Sequence, residues 1–495
     1  MPPVVPFGTM QLSTRRMFEW LVLLLLFALA VRPIVIPDFW WHLRTGQLVV
    51  ESGSIPHSDP FSFTSEGKEW VTNAWLSQVV MYLSYRVAGW GGPIVLFAAL
   101  ITAAFGMVWR RMAGRPYVAG AALFLGAFST APHWGVNSQA LSIVLASAFL
   151  VLLDGYTRDG KVRQLSWMPL LMVLWVNLHP AYLLGPALCL LVGAGLALDE
   201  LAEERGWRAA GRRMAPLALA ALACLAVVPL NPNGVRMFSY PFETLGSKAI
   251  AENLRDWLPP NFHNEGMIPF ALLIFATLAA LAVSPRRSRL SEAFLLAATG
   301  LAALRSARHI PIFALVATPL LAEHAWAWLR TRSWGRLAEV VDEPPGRAKS
   351  AMNAGMLAVV ALVTLMRVGE VVAAQPASEA EVFPRAAVEF LRRQPQPQPL
   401  FNDYNWGGYV IWHLYPQYRN YIDGRSDLHG DALMNEYFDA ARGTPRWRQS
   451  LEHFQVRSAL VEPEAPIAAL LDQDPGWKKV YQDQQAAIFV RREWR

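Results

Sequence analysis

The 495-residue chain is 54% hydrophobic and only 17% charged, against roughly 45–50% apolar and about 25% charged for soluble globular domains. That composition excludes an ordinary soluble enzyme and a disordered chain, and a net charge of +6 is small enough at this length to leave no nucleic-acid partner expected. The 20 Trp suit membrane–water interfaces, while Cys189 and Cys224 both sit inside apolar runs and promise neither a disulfide nor a thiolate metal site.

A spanning helix needs about 20 mostly apolar residues. Met17–Ile36 is the first candidate; Arg15 and Arg16 precede it and no small-residue cleavage site follows, so it reads as an uncleaved span rather than a signal peptide. Ten further apolar runs follow: Pro93–Trp109, Tyr117–Pro132, Ser138–Leu153, Leu165–Leu178, Ala181–Leu198, Met214–Leu230, Met267–Val283, Leu290–Leu304, Ile310–Leu329 and Ala351–Val372. Basic clusters fall at alternate turns between them: Arg110–Arg115, Arg158–Arg163, Arg205–Arg213, Arg286–Arg289 and Arg330–Lys349. Positive-inside logic puts these loops and the N-terminus in the cytoplasm, with everything after Val372 outside. Asn73–Gly89 competes as a twelfth span, but counting it reverses the sign of every later loop. Its apolar residues Leu76, Val79, Val80, Leu83 and Val87 recur at helical spacing, which suits a helix lying along the interface.

The predicted fold is therefore mainly α: a polytopic transmembrane bundle of about eleven spans over residues 1–372, with outer loops 37–92 and 231–266, and a small outer α/β domain over 373–495. After the Pro/Gln linker Gln394–Pro399, strands are expected at Leu400–Asn402, Tyr418–Ile422, Ala459–Val461, Lys479–Tyr481 and Ala486–Val490. Helices are expected near Gly408–Leu414, Asp431–Ala441 and Ile467–Leu471.

Polar residues beside apolar spans are costly unless partnered, and here they gather on the outer side. Asp38 and His42 follow the first span; His133 and Asn137, Asn177 and His179 lie in short outer loops; Asn231, Asn233, Arg255 and Asp256 lie in the second long loop; Arg305, Arg308 and His309 end a span. Each has a plain structural use: Asp38 stands where a helix N-cap is expected, the Asn side chains suit backbone capping, and Arg near a span end snorkels. Snorkelling, however, does not gather His, Asn and Asp at one depth. A carboxylate with Arg and His suits transfer onto a hydroxyl or amine, the carboxylate as base and the cations on a departing phosphate. No nucleophile elbow, phosphate loop or His-Glu-x-x-His motif is present.

The layout resembles the GT-C glycosyltransferase superfamily, which includes protein O-mannosyltransferases, the lipid A aminoarabinose transferase and oligosaccharyltransferase catalytic subunits: a first span followed by Asp, a long outer loop, several spans, a second outer loop and an outer C-terminal domain. It is most similar to bacterial polytopic proteins of that superfamily in Asp38-x-Trp-Trp-His-Leu, Trp175-x-Asn-x-His179, Asn231-Pro-x-Gly234, Asp256-Trp-Leu-Pro-Pro260, Arg308-His-Ile-Pro311, Asn402-Asp-Tyr-x-Trp-Gly-Gly-Tyr409 and Ile422-Asp-Gly-Arg425. The resemblance implies an inverting transferase of the bacterial inner membrane. It would carry a sugar from a polyprenyl-phosphate-linked donor to a glycan, lipid or protein acceptor on the periplasmic side. Asp38 would be the base, with Arg305, Arg308 and His309 on the donor phosphate, and His42, His133, Asn177, His179, Asn231 and Arg255 shaping the pocket. Many members carry a second acidic residue in the next outer loop that helps hold a divalent metal. Ala131–Asn137 has none, which leaves the metal open. The rival readings are a GT-C-shaped protein that binds a lipid or protein partner without turnover, and a transporter; ionisable residues on both sides of the midplane would favour the latter.

Overall fold

A computed structural model describes residues 12–112, 116–332 and 346–492. Parts of two predicted basic loops, 113–115 and 333–345, and the side chain of Arg255 lie outside the described residues.

Each of the eleven apolar runs falls largely on a helix, although the first helix ends at Ala30 and not at the expected Ile36. The chain begins with α1 (Thr14–Ala30), then two short helices of the first long loop, α2 (Asp38–Ser52) and α3 (Trp75–Ala88), then α4 (Gly91–Arg111), α5 (Pro116–Thr130) and α6 (Gln139–Asp159). There follow α7 (Trp167–Leu178), α8 (Leu184–Ala202) and α9 (Trp207–Ala226), then α10 (Tyr240–Gly246) and α11 (Lys248–Asn253) of the second long loop, and α12 (Ile268–Val283), α13 (Leu290–Arg305), α14 (Ile310–Leu329) and α15 (Arg347–Val382). Among the described residues, seven helical stretches are long and apolar enough to cross a bilayer: those containing α4, α6, α8, α9, α12, α14 and α15. Helices α1, α5, α7 and α13 are shorter, from 12 to 17 residues. Helix α14 is buried along most of its length and forms the axis around which its neighbours pack. Helix α3, the competing twelfth span, has 14 residues and packs along α2; Gly46 permits this, since a Cβ there would lie 2.0 Å from the Gln78 carbonyl oxygen.

Pro33 and Pro37 keep the chain from continuing α1 into α2. The extended link leaves backbone groups that must find partners inside the protein. Gln375, buried on α15, supplies both for Ile34: its Oε1 accepts from the Ile34 N–H at 2.7 Å and its Nε2 donates to the Ile34 carbonyl at 3.0 Å. The segment that presents Asp38 is thus clamped from the far end of the sequence.

The C-terminal region adds α16 (Arg385–Arg393), β1 (Leu400–Asn402), α17 (Gly407–Leu414), α18 (Ser426–Ala441), α19 (Trp447–His453), β2 (Ser458–Val461), α20 (Pro466–Gln473), β3 (Trp477–Gln482) and β4 (Ala487–Arg491). The sheet runs β1-β2-β4-β3, with β1 parallel to β2 and the other pairings antiparallel. Alternation along a strand sends successive side chains to opposite faces. Leu400, Leu460 and Ile488 join the same apolar core as the helical bundle, while Phe401, Ala459, Val461 and Phe489 pack under α18, α19 and α20. One predicted strand is corrected: Tyr418–Ile422 is not in the sheet. The backbone of Asn420 pairs instead with Phe61 and Phe63 of the first long loop, and Asn402 Oδ1 takes the Tyr421 N–H. Its hydrogen-bonding edge is spent on another loop, so it joins the C-terminal domain to the bundle.

Candidate active site

At the end of the bundle the two long loops and the C-terminal domain enclose a cavity of about 860 Å³. Asp38, Trp41 and His42 enter it from the first turns of α2, His179 from the link after α7, and Arg308 from the turn between α13 and α14.

Asp38 does not cap its helix. The capping position is Pro37, and the Asp38 carboxylate accepts the Trp41 Nε1–H at 3.1 Å. Partly open to the cavity but surrounded by protein, the carboxyl is pushed up to about 6 by burial. The Trp41 hydrogen bond opposes that rise, and the charges of Asp423, Asp256 and Asp427 add to it. His42 stacks on Trp41, ring centroids 3.6 Å apart, with Nδ1 3.3 Å from Gln78 Nε2; burial lowers it to about 3, so it is neutral. His179 Nδ1 lies 2.8 Å from Ser142 Oγ. The Arg308 guanidinium rests over the Trp257 ring, 4.2 Å from its centroid, within electrostatic range of Asp256 and Asp38.

The other predicted site residues are placed elsewhere. Arg305 is exposed at the end of α13, and neither His309 nor His133 is on the cavity wall; both are half-buried with Nδ1 unpartnered among the described residues. Asn177 and Asn231 are staples. Asn231 Nδ2 donates to the carbonyls of Asn73 and Val176, and Asn177 Oδ1 accepts from Trp75 Nε1 at 2.7 Å while its Nδ2 donates to Val173. Of the three residues assigned to the donor phosphate, the cavity receives Arg308 alone.

The cavity also receives Asp256, already singled out among the polar residues of the second long loop, and side chains that those polar residues did not reveal: Tyr240 of the same loop, and Asp403, Tyr404 and Asp427 of the C-terminal domain. Burial pushes the Asp403 carboxyl up to about 6, opposed by the Asn405 N–H it accepts. Burial also raises Asp427, which accepts from the Tyr240 hydroxyl at 2.8 Å. The Asn402-Asp-Tyr and Asp423-Gly-Arg stretches carried the signal, at the ends of a strand and a turn; nothing local marked Asp427.

One buried ion network fixes this wall to the bundle. Arg425 donates through Nη1 to Asp59 at 2.7 Å and through Nη2 and Nε to Asp423 at 2.7 and 2.8 Å. Its guanidinium lies between the Phe61 and Trp70 rings, at 5.2 and 4.7 Å. Burial alone would raise Asp423, but Arg425 and His429 hold it well below the usual carboxylate range. The donor set does not fit a divalent metal: Asp38 faces an indole N–H and Arg308, and among the described residues no three His, Cys, Asp or Glu side chains converge.

No protein-family model and no curated protein matches the sequence. Solved structures do. AglB, the oligosaccharyltransferase of Archaeoglobus fulgidus in complex with an inhibitory peptide and a dolichol-phosphate, aligns over 90% of this chain and 69% of its own, with TM-score 0.55 and 11% identity. The apo form of the Archaeoglobus fulgidus oligosaccharyltransferase aligns over 91% and 70%, with TM-score 0.53 and 12% identity. ArnT from Cupriavidus metallidurans, in the apo state, aligns over 94% of this chain and 96% of its own, with TM-score 0.50 and 16% identity. The chain has the GT-C fold. In this fold, Asp38 occupies the start of α2 and the C-terminal domain closes the cavity over it.

Proposed function

We propose that this chain is an inverting glycosyltransferase that moves a sugar from a polyprenyl-phosphate-linked donor to a hydroxyl or amine of a glycan, lipid or protein acceptor. The observation that carries the reading is the placing of Asp38 and Arg308 in one cavity at one end of an apolar helical bundle. The fold it shares with AglB, whose structure holds a dolichol-phosphate, supports a lipid-linked donor.

Asp38 takes the proton of the acceptor O–H or N–H as that atom bonds to the anomeric carbon. The bond from that carbon to the phosphate oxygen breaks on the opposite face, its electron pair leaves on the lipid phosphate, and Arg308 receives the charge. His42 and His179, neutral, are N–H donors beside it. Residues 1–372 would form the bundle of a bacterial inner-membrane protein with a cytoplasmic N-terminus, and residues 373–495 a periplasmic domain holding the acceptor. Purified protein in nanodiscs, given radiolabelled sugars on polyprenyl phosphate and a membrane extract as acceptor source, should form labelled product with inverted anomeric configuration. Binding of the donor with no transfer from any sugar would make the chain a lipid-binding relative instead.

A further inference from the structure

His179 lies in extended backbone between α7 and the turn Pro180–Leu183, and its Nδ1 accepts the Ala181 N–H at 3.3 Å. A backbone amide can only donate, so this ring nitrogen must present a lone pair. The Ser142 hydroxyl, 2.8 Å from the same nitrogen, therefore also donates to it. Ser142 Oγ in turn accepts the Trp175 Nε1–H at 2.7 Å, and an indole has nothing but that donor. Every role in the sequence Trp175 to Ser142 to His179 is fixed. All three residues are buried.

We propose that Ser142 and Trp175 are positioning residues that hold His179 as an Nε2–H donor to the oxygen of the lipid phosphate. Nε2 is the ring nitrogen to which no group among the described residues bonds, on a side chain that forms part of the cavity wall with Arg308. Burial, with Arg308 and His42 adding to it, lowers His179 to about 3, so the ring stays neutral. A neutral donor adds a charge-assisted hydrogen bond to a phosphate without a second desolvated cation. The other tautomer would turn a lone pair toward the anion and break the relay at Ser142. The inference rests on the lipid-phosphate reading above, and its test separates the two.

The tautomer is read from the ¹⁵N spectrum of histidine-labelled full-length protein, with the His179 signals assigned by their loss in His179→Gln. The expected result is a protonated Nε2 and an unprotonated Nδ1; a protonated Nδ1 overturns the relay. Binding of undecaprenyl phosphate in nanodiscs is the second readout. Ser142→Ala should weaken it about tenfold while Ser142→Thr keeps it; equal binding by wild type and Ser142→Ala overturns the proposal. Should Ser142→Ala not fold, Trp175→Phe removes the terminal donor and should weaken binding in the same direction. His179→Gln, whose amide nitrogen falls near Nε2, should bind better than His179→Asn, whose amide falls near Nδ1; the reverse order overturns the assignment. If wild type and Arg308→Ala both fail to bind the lipid phosphate, the reading of the cavity fails, and the spectrum still decides the relay.

Discussion

Gly424 stands against Asp38 so closely that a Cβ on it would lie 1.7 Å from the Asp38 Oδ1. The C-terminal domain is therefore in contact with the proposed base, through the one residue type without a side chain. Gly424→Ala must displace either the carboxylate or the 423–425 turn. Since misplacing a reacting group by about 1 Å can cost roughly 10²-fold, transfer should fall by about that factor while the protein still folds. Near wild-type transfer by Gly424→Ala would show that the position of Asp38 under this turn is immaterial.

Asp38→Asn should bind the lipid-linked donor and lose about 10²–10⁴-fold in transfer. Because Asp38 does not cap α2, the loss is separable from helix stability. A carboxyl raised to about 6 binds its proton more tightly in the folded state. The stability it contributes is present below the ordinary value near 4 and is lost as pH rises through about 6. Thermal unfolding should find Asp38→Asn more stable than wild type at pH 7.5 and equal to it near pH 4.

The rate should show the same group from the other side. A base works only when deprotonated, so transfer should decline as pH falls below about 6 rather than below 4. Asp403 is raised to a similar value, and Asp403→Asn tells the two apart: the acid limb should survive it if Asp38 is the base. A limb that vanishes with Asp403→Asn would move the chemistry to the C-terminal domain.

Removing one member of a buried ion pair strands its partners. Arg425→Met would leave Asp59 and Asp423 facing each other, both fully buried, at a cost of about 3–5 kcal/mol. Arg425→Lys should recover little, because an ammonium cannot bridge both carboxylates as the fork does. Differential scanning fluorimetry in detergent measures both. Unchanged unfolding temperatures would mean that the network bears no strain between the 57–70 loop and the domain.

The alternation of basic loops predicts that the region after Val372 is outside the cytoplasm. A reporter active only in the cytoplasm, fused to the C-terminus, should stay silent, and one active only outside should report. The opposite pattern would invert the topology.

The bundle was legible in the sequence because each helix carries its own signature, a long apolar run closed by charge. Asp38, His42, His179 and Arg308 were legible for a related reason: a polar group beside a span stands out against its surroundings. Asn177 and Asn231 stood out equally, and only three-dimensional neighbours reveal that their amides serve Val176, Asn73 and Trp75. Asp403 and Asp427 lie in an ordinary polar domain where a carboxylate has no contrast, so their approach to Asp38 could not be read from composition. Tyr418–Ile422 has a strand's pattern, but which edge it pairs with is a long-range fact.

Asp59 and Arg425 bond to one another across 366 positions of sequence. During synthesis, therefore, the helices up to α14 are made and inserted while the cavity still lacks a wall. A nascent chain halted before residue 400 would leave Asp59 without its guanidinium and Asp38 uncovered. The cavity around Asp38 closes only when the last quarter of the polypeptide has been delivered and folded against the loops made first. Truncated or prematurely terminated chains would then lack one wall of the cavity altogether, rather than hold a loosened version of it.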